Sequence, residues 1–368
     1  LRKDGSIQIA RVGASLVTVG GKQMVSSIWQ DITEAKQTVP HFYLKMVARV
    51  DEPTHGVRWA WLVQSVLFLD VTVEGMMRAI RGDDDGSSPV TIASLHVYPI
   101  KSCAGLSLAQ TELAATGFAH DRQWMLIDDQ HEFLSQREHA RMALIRPALG
   151  DGGGWTVTAP GCAPLVLPAV AAGEALRVRV WDDAVDARAA SVAADRWCSD
   201  FLGVSVRLVQ FVPGQRRLSS ARWTGALEAE NSFSDGYPVL VTTVAALDEL
   251  NRRLVLGHHA PVTMARFRPN LVLDGLGPHG EDGLDELQFD TPDGPVTLRL
   301  VKPCPRCPIP NIDPDTAVAG HEPGDTLSRY RADARVDGAI TFGMNAVIVE
   351  GVGRQLVVGQ GGRGTVRF

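Results

Sequence analysis

From Val90 onward the chain is built of short stretches in which apolar and polar residues alternate, each closed by Gly, Pro or Asp. Examples are VTIASLHVYPI, LSLAQTELA, QWMLIDD, HEFLSQ, GWTVTAP and LRVRVWDD, followed later by LVLDGL, ELQFD, VTLRLV, AVIVEGVG and QLVVGQ. A period of two gives each strand one buried and one exposed side, so many such strands in series close into barrels or pack as sheets. Two stretches carry a helical period instead. SVAADRWCSDFLG (191–203) opens on Ser191 as a cap and stops at Gly203. TVAALDELNRRLV (243–255) opens on Thr243 and sets Leu247, Leu250 and Leu254 on one face. No GxGxxG or P-loop follows a strand, which argues against a nucleotide-binding fold. The expectation is a β-rich α+β architecture with a few packed helices.

The text before Val90 is different. Residues 1–37 read as strands divided by Gly20-Gly21, and their RKDGS opening and DITEAKQ ending resemble the last strands of a PAS sensor domain, as a C-terminal remnant. Residues 38–89 show no clear period and end in the turn-rich RGDDDGSSP, a linker of uncertain structure that places a natural start at Met76 or Met77. The apolar run WAWLVQSVLFLDVTV (59–73) is broken by Gln64, Ser65 and Asp70 and is too short and polar to span a bilayer. Two further domains are expected over 90–212 and 213–368. A formal net charge of −6 argues against a general nucleic-acid binder. Five cysteines, odd in number and scattered, are no disulfide framework and suit a soluble protein of the reducing cytoplasm.

The chemistry-bearing stretch is PCPRCPIPNIDPDT (303–316). Cys304 and Cys307 stand at metal-site spacing, yet a structural zinc needs four ligands and no second CxxC or HxxxH is present. A redox dithiol wants a helix start, which Pro308 and Pro310 disfavour. What remains is a loop after the strand VTLRLVK (296–302), with Cys307 projected beside Arg306. A guanidinium there would keep the thiolate ionised, as a soft metal ligand or a nucleophile. Cys304 is expected to be a plain turn cysteine.

Around this stretch, seven motifs stand in one order: YPIKSC (98–103), FAHDRQWMLID (118–128), FLSQRE (133–138), VWDDAVDA (180–187), FSDGYPVLVTT (233–243), ARFRPNLVLDG (265–275) and CPRC with DPDT. Together they resemble the MOSC family, an N-terminal MOSC β-barrel domain followed by the MOSC domain, of the type of the amidoxime-reducing components. The resemblance implies a molybdenum cofactor (Mo-molybdopterin) with Cys307 as the protein ligand to the metal. It places Lys101, Ser102, Arg137, Thr243, Arg268, Asn270 and Arg306 around the pterin and its phosphate, a group that needs cationic forks and hydroxyl or amide donors. Asp313 is the candidate proton donor, with fixing the turn at Pro314 as its other role. Arg122 is equally a partner for Asp121 or Asp128. The loops NSFSDGYP (231–238) and ITFGMNA (340–346) fit a pocket rim without an assigned role.

The activity so implied is the two-electron, two-proton reduction of N-hydroxylated substrates such as amidoximes, hydroxylamines or N-hydroxylated bases. Electrons would come from a separate ferredoxin-, flavin- or cytochrome-type protein. The alternative is a non-redox carrier of molybdenum cofactor or sulfur, using a persulfide on Cys307. Pyridoxal phosphate, also associated with the family, finds no lysine that the sequence marks as a Schiff-base former. After the cysteine this chain departs from its relatives, which continue with an apolar residue and threonines. Here Pro308-Ile309-Pro310-Asn311 follows, which alters the wall beside the metal.

Overall fold

The computed structural model describes residues 10–19, 22–31 and 87–366, in two compact units divided at Thr72/Val73. In the first unit, Ala10–Val19 and Lys22–Asp31 pair antiparallel from Ala10↔Asp31 to Val19↔Lys22. The rest of the PAS-like and linker stretches, and the apolar run 59–73, lie outside the described residues.

The second unit holds a closed barrel of seven strands: β1 (Ser87–Val97), β2 (Val239–Thr243), β3 (Leu271–Asp274), β4 (Leu284–Thr291), β5 (Gly294–Pro305), β6 (Ala339–Glu350) and β7 (Gly361–Val366). Around the ring the order is β2-β3-β1-β7-β4-β5-β6, and β6 pairs with β2 to close it. Closure leaves these strands no open edge. Alternate side chains fill the interior, where Ile92, Leu95, Leu273, Phe289, Leu298 and Met344 are fully buried. Within the ring β2 and β3 run parallel. A parallel pair needs a crossover, and the helix Val244–Leu256 provides it. Its cap is Thr243, whose Oγ1 accepts from Ala246 N, and it buries Ala246, Leu250 and Leu254.

Between β1 and β2 the chain makes the second sheet system. Trp124–Ile127, Arg207–Phe211, Asp183–Ala189 and Ala175–Val180 form an antiparallel sheet, and three short strands between Arg146 and Leu167 form another. Trp124–Ile127 is buried on both faces: Trp124 and Leu126 join one core, Met125 and Ile127 the other. The helix Val192–Leu202 packs here, capped by Ser191 Oγ on Ala194 N and ended by Gly203 at φ 75°. Such a cap contributes about 1 kcal/mol. HEFLSQ makes two isolated bridges, Ile127↔Phe133 and Glu132↔Arg179, rather than a strand, because the chain turns at Ser135. Among the described residues no helix is long and apolar enough to cross a membrane.

Candidate functional site

The cysteine stretch begins inside β5 rather than after it. The strand continues through Pro303, Cys304 and Pro305, its register slipping between Leu300 and Lys302 and again between Pro303 and Pro305. Bulges of this kind are what let proline sit in a strand. Arg306 N then donates to Ile340 O at 2.8 Å, which pins the root of the loop. Cys307 follows as a free, half-buried thiol. The guanidinium of Arg306 does not turn to it, contrary to expectation. Nη1 reaches Cys304 Sγ at 3.1 Å and Nη2 donates to Phe267 O at 2.9 Å. The physical reason is the strand extension, which puts Cys304 and the Phe267 segment, not Cys307, alongside the Arg306 side chain.

Next to this loop lies a cluster of positive charge. Around the buried Tyr98 stand three guanidiniums, Arg122, Arg268 and Arg306, and one carboxylate, Asp121. Arg122 and Arg268 lie over the Tyr98 ring, at 4.4 and 4.2 Å from its centroid. Arg122 takes the ion-pair role with Asp121 and also donates to Asn270 Oδ1 at 3.1 Å. Burial, then the charge of Arg122, holds Arg268 down to about 10. Arg306 Nε is buried with no partner. A surplus of forked donors and an unsatisfied buried N–H fit an anionic, planar group with several acceptors.

The backbone here is unusual too. Ser102, Arg122 and Arg268 take φ of 62°, 46° and 57°, the left-handed region that side chains other than glycine enter only when their surroundings hold them there. Gly105 lies against this arrangement: a Cβ there would stand 2.4 Å from Tyr98 Cε1. Gly105→Ala is expected to displace the ring from between the two guanidiniums at a cost of about 1–3 kcal/mol. Thermal unfolding checks the cost, and a midpoint equal to that of the wild type would contradict it.

Lys101 and Arg137 meet in a neighbouring group. The Lys101 ammonium is buried, donates to Phe233 O at 2.8 Å and pairs with Asp235; burial lowers its pKa against the pull of that carboxylate. Asp235 accepts from Trp181 Nε1 at 3.3 Å, and Arg137 lies over the Trp181 ring at 4.8 Å. Ser102 is buried beside Lys101, its carbonyl held by Gln136 Nε2 at 2.7 Å and its hydroxyl without a partner among the described residues. The charge of Arg122 acts on both Lys101 and Asp235, so the two groups adjoin.

Three of the expected residues are fully engaged elsewhere. Asn270 locks strands: Oδ1 accepts from Leu240 N and Arg122, and Nδ2 donates to His96 O. Thr243 caps its helix and donates to Glu281 Oε2 at 2.9 Å, wholly buried. Asp313 accepts from Asp315 N, Thr316 N and Thr316 Oγ1, and from Arg266 Nη2 at 2.9 Å. Although partial burial raises its pKa, these donors outweigh it and leave the carboxyl below its usual range. A carboxylate held so is a turn lock and a poor proton donor. The expectation of Asp313 as an acid is corrected on that ground. ITFGMNA is not a rim loop but part of β6.

NSFSDGYP carries no motif that discloses its role; its contacts do. The buried Arg217 takes the carbonyls of Ser232 (2.9 Å), Ser234 (2.6 Å) and Asp235 (3.2 Å), while Lys101 takes that of Phe233. With four successive carbonyls drawn to these cations, the amides of Ser234, Asp235, Gly236 and Tyr237 donate to no acceptor among the described residues. Backbone amides left free in a bend are donors open to an anion. Arg217 sits in QRRLSS with nothing local to distinguish it from Arg216, so only the structure identifies it.

The closed barrel, its companion sheet domain and the half-exposed cysteine define a MOSC protein. The chain belongs to this family: residues 89–205 match the MOSC N-terminal beta barrel domain and residues 228–361 the MOSC domain. It is similar to mitochondrial amidoxime-reducing component 1 of Mus musculus, with 35% identity over 66% of this chain and 71% of that protein. Similarity extends to mitochondrial amidoxime reducing component 2 of Homo sapiens, 31% identical over 66% of this chain and 72% of that protein. The molybdenum cofactor sulfurase of Arabidopsis thaliana is 28% identical over 68% of this chain, but only 32% of its own length is matched.

Proposed function

We propose that the protein is a molybdenum-cofactor-dependent oxidoreductase that reduces N-hydroxylated compounds with electrons from a separate redox protein. The observation that carries this reading is a free, half-buried Cys307 on the loop that also supplies Arg306, one of three guanidiniums gathered with one carboxylate around Tyr98. Among the described residues no set of three or more His, Cys, Asp or Glu could hold a metal. A metal at Cys307 would therefore take its remaining ligands from a cofactor, and a pterin dithiolene is soft enough to share it with a thiolate.

The residues divide the work. Cys307 supplies the thiolate. Arg122, Arg268 and Arg306 offer donors to ring carbonyls and phosphate oxygens, and the Ser234–Tyr237 amides offer a second anion seat. Lys101 and Arg137 hold that seat in place through Asp235 and Trp181. When bound, the cofactor supplies two-electron exchange with the N–O bond. For an amidoxime the balance is R–C(=NOH)NH2 plus two electrons and two protons, giving the amidine and water. Because Asp313 is held ionised, the protons come from water at the half-exposed mouth.

The test is molybdenum and pterin content of the protein made in a host that supplies the cofactor, beside Cys307→Ala. Near-stoichiometric metal in the wild type is expected, with the metal lost and the pterin retained in the variant, since the guanidiniums do not depend on the sulfur. Neither metal nor pterin in folded wild type would overturn the reading. A persulfide on Cys307 in that case would favour sulfur transfer, the reading that the likeness to a molybdenum cofactor sulfurase supports.

A further inference from the structure

The stretch ITFGMNA, near the start of β6, lies against the root of the cysteine loop. Ile340 O takes the Arg306 amide at 2.8 Å. Phe342 stacks on Phe267 at 3.8 Å and 15°, and the Phe267 carbonyl takes Arg306 Nη2 at 2.9 Å. Thr341, between them, is fully buried and stands opposite Pro305. Pro303, Pro305 and Pro308 have no amide hydrogen, which leaves few ties here beside the one from Arg306. The residue before Cys307 is thus held, main chain and side chain, through the two neighbours of Thr341.

Thr341 is in turn held from the other side of its strand by one residue. The short strand Ala332–Asp333 pairs with β6 at Ala332↔Ile340, and one step further along stand Arg331 and Thr341. Thr341 N donates to Arg331 O at 2.9 Å. In a regular antiparallel pair the Arg331 amide would return a bond to Thr341 O. That amide is spent on Leu327 O at 2.8 Å, and the guanidinium stands in for it. Its Nε donates to Thr341 O at 3.1 Å, while Nη2 donates to Thr341 Oγ1 at 3.1 Å and to Asp282 Oδ2 at 2.6 Å.

We propose that Arg331 is a positioning residue for Cys307. Through Thr341 it fixes the start of β6, and with it Arg306 and the place from which the next residue offers its sulfur to a metal. The inference rests on the reading of Cys307 as the protein ligand in a molybdenum-dependent reductase. A ligand on a loop is only as well placed as the groups that support the loop, and the loss of such support weakens metal binding. Asp282 balances the charge of the guanidinium, whereas the fork on Thr341 sets the strand.

The experiment uses the whole chain, wild type beside Arg331→Lys, Thr341→Val and Asp282→Asn. Two readouts need no cofactor: hydrogen exchange at the Arg306 amide, and iodoacetamide labelling of Cys307 relative to the half-buried Cys162 of the companion sheet domain. Arg331→Lys keeps the pair with Asp282, but one ammonium cannot span both oxygens of Thr341 as well. Arg306 exchange should then rise about tenfold, as the loss of a hydrogen bond from a charged donor allows, and the labelling ratio should rise with it. Thr341→Val removes one of the two bonds and should give a smaller rise. Asp282→Asn should leave both readouts at the wild-type value, whatever its thermal midpoint. In a host that supplies the cofactor, Arg331→Lys should hold molybdenum about tenfold more weakly at unchanged pterin content. Wild-type exchange and labelling in folded Arg331→Lys would overturn the proposal. So would an equal rise in Asp282→Asn, the mark of a buried ion pair alone, or unchanged molybdenum per pterin where exchange had risen. No molybdenum or pterin in the wild type would count against the reductase reading instead, and the two cofactor-free readouts would still decide whether Arg331 holds the loop.

Discussion

Replacing Arg217 by methionine is expected to lower the thermal midpoint by roughly 10 °C, as the loss of several buried hydrogen bonds from a charged donor, about 3–5 kcal/mol together, would do in a unit of this size. The side chain is 4% exposed, and its partner Asp183 is 51% exposed. Most of the cost therefore falls on the loop. Ser232, Ser234 and Asp235 lose the donor to their carbonyls, which are then free to rotate. Rotation would also scatter the free amides at Ser234–Tyr237, so if they seat the cofactor as proposed, the variant loses pterin even at temperatures where it stays folded. Arg217→Lys keeps the charge but cannot reach three carbonyls in a fork, and should lie between the two. Differential scanning calorimetry and pterin content of the same preparations test this. An unchanged midpoint in Arg217→Met, or full pterin in it, would show that the loop is held by other means.

The contrast between Arg217 and the helices shows what a sequence can and cannot disclose about this protein. Ser191, Gly203 and Thr243 were legible because a cap acts on amides within three or four residues of itself. The strands were legible because alternation is a local consequence of burial on one side. The closing pair of the barrel is not local: β2 meets β6 with Val241 opposite Met344, about a hundred residues on. The same holds for the site. Cys307 and the arginines could be listed from motifs. That Arg122 and Arg268 enclose Tyr98, or that Arg306 reaches back to Cys304, depends on which segments the barrel brings together. Asp313 was misread for a local reason. DPDT carries both a turn and an acid, and only the full set of donors around the carboxylate decides between them.

The second large effect concerns Glu281, a residue that no motif drew attention to. It is wholly buried in the turn before β4, with Oε2 on Thr243 and Oε1 without a partner. Burial, then the neighbouring Asp282, pushes its pKa up to about 7, from 4.5 in an unfolded chain. Arg331 offsets this in part but is itself paired with Asp282 at 2.6 Å, and His279, the residue before this turn, is held neutral by burial, at about 4. A raised carboxyl favours the folded state fully below about pH 4.5, where both states are protonated. As pH rises toward 7 the unfolded chain ionises first, the folded protein holds the extra proton, and that stability is lost. At 1.36 kcal/mol per unit, the loss by pH 8 is about 3 kcal/mol. Glu281→Gln keeps an acceptor for Thr243 and removes the titration. Its stability relative to wild type should therefore rise by about 3 kcal/mol between pH 4.5 and 8, even if it starts lower at acid pH. Urea unfolding at several pH values measures the difference and cancels groups such as Asp313 that act in both proteins. A wild-type-minus-variant gap that stays flat across this window would mean that Glu281 is already ionised in the folded protein at acid pH. Its buried charge would then be met by Arg331 more fully than the ion pair with Asp282 suggests.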